Sequence, residues 1–184
     1  MRLYVATPNL AKAESQLNKN KMLLITGQPG VGKTSLAELL LFRFAKKNYQ
    51  IIAVEDLEEA EQLFSRSAKT KQLFYFDDFL GSNYMEILNA HREETRLTNF
   101  VERVQNSRNK LLLLTTRTVI LNRASEKSER LKRSELMNRN FEIVLSDYSP
   151  FEKARILYNH MYFRNMSQEL TDSIVANKFY RTII

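Results

Sequence analysis

Apolar positions along this chain alternate between two periods. Met22–Ile25, Tyr49–Val54, Gln72–Phe76, Lys110–Leu114 and Phe141–Leu145 are short, nearly continuous apolar runs that read as buried strands. Between them, apolar residues recur at helical spacing. Leu36, Leu39, Leu40, Phe42 and Phe44 predict a helix to about Lys47. Glu55–Phe64 predicts a second helix with acids in its first turn, and Asn89–Ser107 a third with Leu97, Phe100, Val101 and Val104 inward. Ahead of the first strand, Leu10, Ala13 and Leu17 mark one more helix. Strand and helix in alternation predict an α/β fold with a parallel sheet and right-handed crossovers. The fourth run is apolar throughout, which predicts a central strand. After Asp147 no strand pattern returns. Ser149 reads as an N-cap, Pro150 as the first helical residue, and 151–158 and 170–180 as helices. The expected organisation is a core over residues 1–147 and a small C-terminal helical lid over 148–184.

The turn after the first strand carries the strongest chemical signal. Gly27-Gln28-Pro29-Gly30-Val31-Gly32-Lys33-Thr34, followed by Ser35, has the Gly-x-x-x-x-Gly-Lys-Thr spacing of a phosphate-binding loop between strand and helix. The chain has 4 glycines and three of them stand here, where positive φ and close approach to phosphate oxygens require them. The helix start adds free N–H groups and the positive end of its dipole. Lys33 is then expected on the β- and γ-phosphates and the Thr34 hydroxyl on Mg²⁺. A chance match is expected in well under about 1% of chains this long, so a nucleoside triphosphate is the expected ligand.

A second signal ends the third strand, at Asp77 and Asp78. Acids at the carboxyl end of a strand lie where open α/β sheets bind ligands. Asp77 is a candidate to hold Mg²⁺ through its water shell, and Asp78 to orient or deprotonate an attacking water. An Asp-Asp turn that merely ends a strand is the plain alternative. The fourth strand ends in Thr115-Thr116-Arg117, where Arg117 is a candidate for charge-assisted bonds to a γ-phosphate. The spacing equally fits an arginine that caps a sheet edge. Residues ahead of the first strand cover the adenine in many ATPases with this loop, which makes Val5 and Pro8 candidates beside the plainer reading of a packing helix.

Composition narrows the setting. No apolar run reaches the roughly 20 residues that span a bilayer, and the N-terminus lacks a signal-peptide apolar core. Without cysteine there is no disulfide framework or thiol chemistry, and His91 and His160 lack metal-ligand spacing. A cytoplasmic protein without membrane contact is expected. The net charge of +7 permits a nucleic-acid partner. Its late basic residues (Arg117, Arg123, Lys127, Arg130, Lys132, Arg133 and Arg139) alternate with Glu126, Glu129 and Glu135. That pattern fits a solvated helix face, and no aromatic residue is interleaved there to stack bases.

Together, the 27–34 loop, Phe74-Tyr75-Phe76-Asp77-Asp78-Phe79-Leu80-Gly81 and Leu113-Leu114-Thr115-Thr116-Arg117 resemble the STAND class of signal-transduction ATPases, most of all its "novel STAND" branch. That branch occurs in bacterial multidomain proteins, many linked to phage defence. The resemblance runs from about Tyr4 to the C-terminus. It implies an AAA-like, three-layer α/β/α P-loop NTPase core with five parallel strands in the order 5-1-4-3-2. In such a core ATP binding and hydrolysis to ADP, with Mg²⁺, switch an oligomer of like chains. It also implies the roles given above to Lys33, Thr34, Asp77, Asp78 and Arg117. Family members continue past the lid into further domains, so an ATPase module cut from a longer protein is expected. A DNA-acting AAA-like loader and a small-molecule kinase remain the competing readings. The paired acids and the Thr-Thr-Arg tip weigh against the kinase.

Overall fold

The computed structural model describes residues 8–81, 91–128, 132, 138–145, 148–163, 169 and 172–173. Its elements in chain order are α1 (Pro8–Asn20), β1 (Met22–Gly27), α2 (Lys33–Ala45), β2 (Gln50–Ala53), α3 (Leu57–Leu63) and β3 (Gln72–Phe76). There follow α4 (His91–Asn106), β4 (Lys110–Arg117), α5 (Thr118–Lys127), a 3₁₀ turn (Arg139–Phe141), β5 (Glu142–Leu145) and α6 (Pro150–Phe163). The five strands form one sheet in the order β2-β3-β4-β1-β5, and every pairing is parallel. Read from the other edge this is 5-1-4-3-2, the expected order, and β4 is the middle strand.

Contacts divide the chain into two compact units, Asn9–Ser146 and Met1–Pro8 with Asp147–Ile184. In the first, strand alternation sends neighbouring side chains to opposite sheet faces. Met22, Leu24, Phe74, Phe76, Leu112 and Leu114 share one face and pack with Leu97, Phe100, Val101 and Val104 of α4, Leu57 and Ala60 of α3, and Leu121 and Ala124 of α5. The Phe100 ring stands edge-on to Phe74 at 5.3 Å, and Phe64 stacks on Phe74 at 5.6 Å. Truncating one ring of such a cluster costs about 3–5 kcal/mol. The helix α2 contributes buried Leu36, Ala37, Leu39, Leu40 and Phe44 and contacts β1, β2 and β4. The helix α1 buries Leu10, Ala13 and Leu17, and its Glu14 pairs with Arg43 of α2 and, at 2.8 Å, with Lys47 just past the end of α2.

Some boundaries differ from the sequence reading for local reasons. Phe42, expected inward, is 42% exposed and carries the Lys46 ammonium over its ring at 4.5 Å. The helix expected from Glu55 is α3 and starts at Leu57, because the Asp56 carboxylate accepts from the Glu59 N–H at 2.8 Å and caps it. The edge strand β5 leaves Val144 exposed. In the second unit α6 opens as expected. The Glu152 carboxylate accepts from the Ser149 N–H at 2.9 Å while the Ser149 hydroxyl accepts from the Glu152 N–H at 3.3 Å, a reciprocal capping box. The expected helix over 170–180 lies, apart from 172–173, outside the described residues. Arg123 and Lys127 are exposed on α5, as a solvated face requires, while Arg130 and Arg133 are outside the described residues.

Candidate functional site

The strand β1 is buried along its whole length and delivers Gly27 to the upper edge of the sheet. A Cβ on Gly27 would stand 2.7 Å from the Leu145 carbonyl oxygen and 2.8 Å from Val31 Cγ1, so only glycine fits. Gly32 then takes φ 89°, ψ 23° and becomes the N-cap of α2 without any side-chain capping bond. The first-turn N–H groups of Lys33, Thr34 and Ser35 are therefore left to a ligand or to water. Gln28, Pro29 and Gly30 are exposed, and buried Val31 anchors the loop. Lys33 Nζ donates to the Gly27 and Gln28 carbonyls at 3.2 and 2.9 Å. Burial lowers its pKa, and the Asp78 charge acts in the opposite direction.

The strand β3 ends at Phe76, so Asp77 and Asp78 lie in the turn just past it, at the carboxyl edge of the sheet as expected. Asp78 adopts φ 46°, a left-handed conformation that costs a non-glycine residue energy. Three bonds hold it there. Its N–H donates to Thr115 Oγ1 at 2.9 Å, its carbonyl accepts from Gly81 at 2.7 Å, and the next N–H, of Phe79, donates to the Thr115 carbonyl at 2.8 Å.

Asp77 is the hub. Its Oδ1 accepts from the Thr115 hydroxyl at 2.6 Å, the Tyr75 phenol at 2.9 Å and, at a long 3.3 Å, the Thr34 hydroxyl. Burial pushes the Asp77 carboxyl upward. The bonds from Thr115, Tyr75, Thr34 and the Asp78 backbone outweigh it, so the net shift is below the usual carboxylate range. Burial, and then the bond to Asp77, push the Tyr75 phenol well above its ordinary value, so it stays a donor. Arg117 closes the group, its guanidinium 3.2 Å from Asp78 Oδ2 and both side chains about half exposed. The other oxygen, Asp78 Oδ1, is buried without a hydrogen-bond partner, as is the Thr116 hydroxyl.

These residues suit a phosphate with a small hard cation. The α2 start supplies unpaired N–H groups. Thr34 and Asp77 supply oxygen donors of the kind Mg²⁺ takes, and the orphaned Asp78 Oδ1 can accept from a water. A hollow of about 620 Å³ lined by Glu58, Glu61, Gln62 and Arg96 shares no residue with this group. Lys33, Thr34, Asp77, Asp78 and Arg117 therefore stand in one bonded or charge-coupled set. Pro8 is the exposed first residue of α1, and Val5 lies outside the described residues. Two members, Tyr75 and Thr115, were not legible as site residues. Their signal was positional: Tyr75 precedes Asp77 by two on the same strand face, and Thr115 follows Leu114, the partner of Phe76.

The model of the family "Novel STAND NTPase 3" matches residues 4–163. No curated protein matches the sequence. Among solved structures, domain III of the Thermotoga maritima replication initiation protein DnaA is similar at TM-score 0.62 and 13% identity, over 95% of this chain and 79% of that one. AMPPCP-bound DnaA from Aquifex aeolicus is similar at TM-score 0.58 and 14% identity, over 95% and 58%. The Aeropyrum pernix ORC2 protein, solved as ADPNP–ADP complexes, is similar at TM-score 0.56 and 16% identity, over 83% and 50%. At these identities the likeness shows the fold. The chain spans about half the length of the ORC2 structure and 58% of the AMPPCP-bound DnaA structure.

Proposed function

This chain belongs to the novel STAND NTPase 3 family, and from that premise we propose that it is the ATP-binding and hydrolysing switch module of a STAND-type signalling or defence protein. The observation that carries the reading is the convergence of the Thr34, Tyr75 and Thr115 hydroxyls on Asp77, beside Lys33 and the Asp78–Arg117 pair. In this reading the Gly27–Ser35 backbone cradles the phosphates and Lys33 leaves the loop carbonyls for the β- and γ-oxygens. Thr34 and Asp77 hold Mg²⁺, which when bound neutralises charge developing on the phosphate oxygens. Asp78 orients the attacking water and accepts its proton. A γ-phosphate competes with Asp78 for the Arg117 guanidinium, so sensing the phosphate and freeing the base become one event. Val5 and Pro8 would cover the adenine, and 148–184 would act as the lid over the 1–147 core.

Switching would take place between copies of a longer protein located in the cytoplasm. An arginine supplied by a neighbour is worth about 10³–10⁵ in rate in such enzymes. The isolated module is therefore expected to stay monomeric and to hydrolyse ATP well below about 1 per second. Sedimentation with and without ATP, alongside phosphate release, tests both halves. Rapid turnover by a monomer contradicts the switch reading and favours a free-standing ATPase. The charge of +7, with Arg123 and Lys127 exposed one turn apart on α5, favours a second reading in which the module also contacts nucleic-acid phosphates. Duplex binding that weakens steeply with salt would support it.

A further inference from the structure

Strand alternation places Tyr75 and Asp77 on the same side of the sheet, and the Tyr75 side chain is buried with its hydroxyl directed at Oδ1 of Asp77 at 2.9 Å. Thr115 reaches the same oxygen from β4 at 2.6 Å, and Thr34 reaches it from α2 at 3.3 Å. All three side-chain donors choose Oδ1. Among the described residues no side-chain donor bonds Oδ2 of Asp77. A carboxylate with one oxygen bonded from the interior is fixed in rotation, and its second oxygen is the one available to a ligand. Packing alone would be served as well by phenylalanine, the residue on either side of Tyr75 in the chain.

We propose that Tyr75 is a positioning residue: its phenol, with the Thr115 hydroxyl, pins Oδ1 of Asp77 so that Oδ2 is presented to the water shell of a nucleotide-bound divalent cation. The proposal rests on the reading that Thr34 and Asp77 hold Mg²⁺ with a nucleoside triphosphate. Thr115 couples the same hydroxyl to the backbone of Asp78, which ties the placement of the cation-holding acid to that of its neighbour.

Tyr75→Phe keeps the ring and removes the donor, leaving Thr115 and Thr34 to satisfy Oδ1, so the variant is expected to fold and melt like the parent. ATP affinity is measured by calorimetry in EDTA and across a Mg²⁺ titration. The Mg²⁺ concentration that half-maximally tightens ATP binding should rise about 10–100-fold, with the EDTA affinity unchanged. A parental Mg²⁺ requirement in Tyr75→Phe overturns the proposal. So does an equal loss with and without Mg²⁺, or a collapse of the fold, because either makes Tyr75 a packing residue. A parent protein whose ATP affinity gains nothing from Mg²⁺ overturns the underlying nucleotide reading instead, and the proposal with it.

Discussion

Between Gly27 and Ser35 the protein offers mostly backbone. Its glycines take left-handed or sterically exclusive conformations, and α2 begins without a side-chain cap. The lysine at the centre binds the carbonyls of its own loop. Between Tyr75 and Asp78 the situation is reversed. There side chains bind side chains, through a phenol, a threonine hydroxyl, two carboxylates and a guanidinium, anchored on two neighbouring strands. The first region leaves donors unsatisfied, which is what a ligand carrying several negative oxygens requires. The second ties one oxygen of each acid into internal bonds, which fixes both carboxylates at some cost in strain and leaves the other oxygen of each open. One region is built to be completed by the ligand, the other to hold two carboxylates in place for it.

The sharpest way to break this contrast is to alter the acid turn and leave the loop intact. Asp78→Asn is isosteric, and an amide can still face Arg117. ATP binding should persist while hydrolysis falls about 10²–10⁴-fold, the usual contribution of a positioned base. Single-turnover phosphate release checks this, and hydrolysis at the parental rate removes Asp78 from the role.

A smaller effect is expected from the loop's backbone. Gly27→Ala drives a methyl group into the Leu145 carbonyl and Val31, so the chain must shift. Overpacking of this kind costs about 1–3 kcal/mol. Chemical denaturation should show it, together with weakened ATP binding. Full stability in Gly27→Ala would mean that the loop tolerates repositioning and is less constrained than the contrast requires.

The smallest effect is a control outside both regions. Glu14 has a pKa lowered by its bonds to Lys47 and Arg43. A depressed carboxylate stabilises the fold above its unfolded value of about 4.5, and that contribution is lost as pH falls through the lower folded value. Glu14→Gln should therefore flatten the acid side of the stability profile by less than about 1 kcal/mol, as partly exposed pairs do, without changing ATP affinity. Denaturation at pH 7 and at pH 4 checks the sign. An effect on ATP affinity would show that α1 takes part in the site.

The two regions also differed in how far the chain itself revealed them. The loop was legible at once, because glycine spacing and Lys-Thr report a backbone geometry that is local in sequence. The apolar run of β4 marked it as central, the full strand order was implied by the family resemblance, and Asp77, Asp78 and Arg117 stand at the sheet edge where the strand ends put them. Tyr75 and Thr115 were hidden because an apolar run reads as core whatever its polar tips do. Thr115 in particular becomes a partner of Asp77 only through the pairing of β3 with β4, at a separation of 38 residues. Phe42 misled for the converse reason: it was grouped with the inward residues, while two positions from buried Leu40 and Phe44 it turns off the buried face of α2, and the Lys46 ammonium sits over its ring.

A nucleotide completes the Gly27–Ser35 loop if thermal melting of the parent and of Lys33→Ala responds differently to Mg²⁺-ATP. At about a hundred times its Kd the nucleotide should stabilise the parent by about 2.7 kcal/mol, a rise of roughly 5–10 °C for a chain of this size. Lys33→Ala should melt like the parent alone and show no rise with nucleotide. An equal rise in both proteins would place the ligand elsewhere and contradict the account.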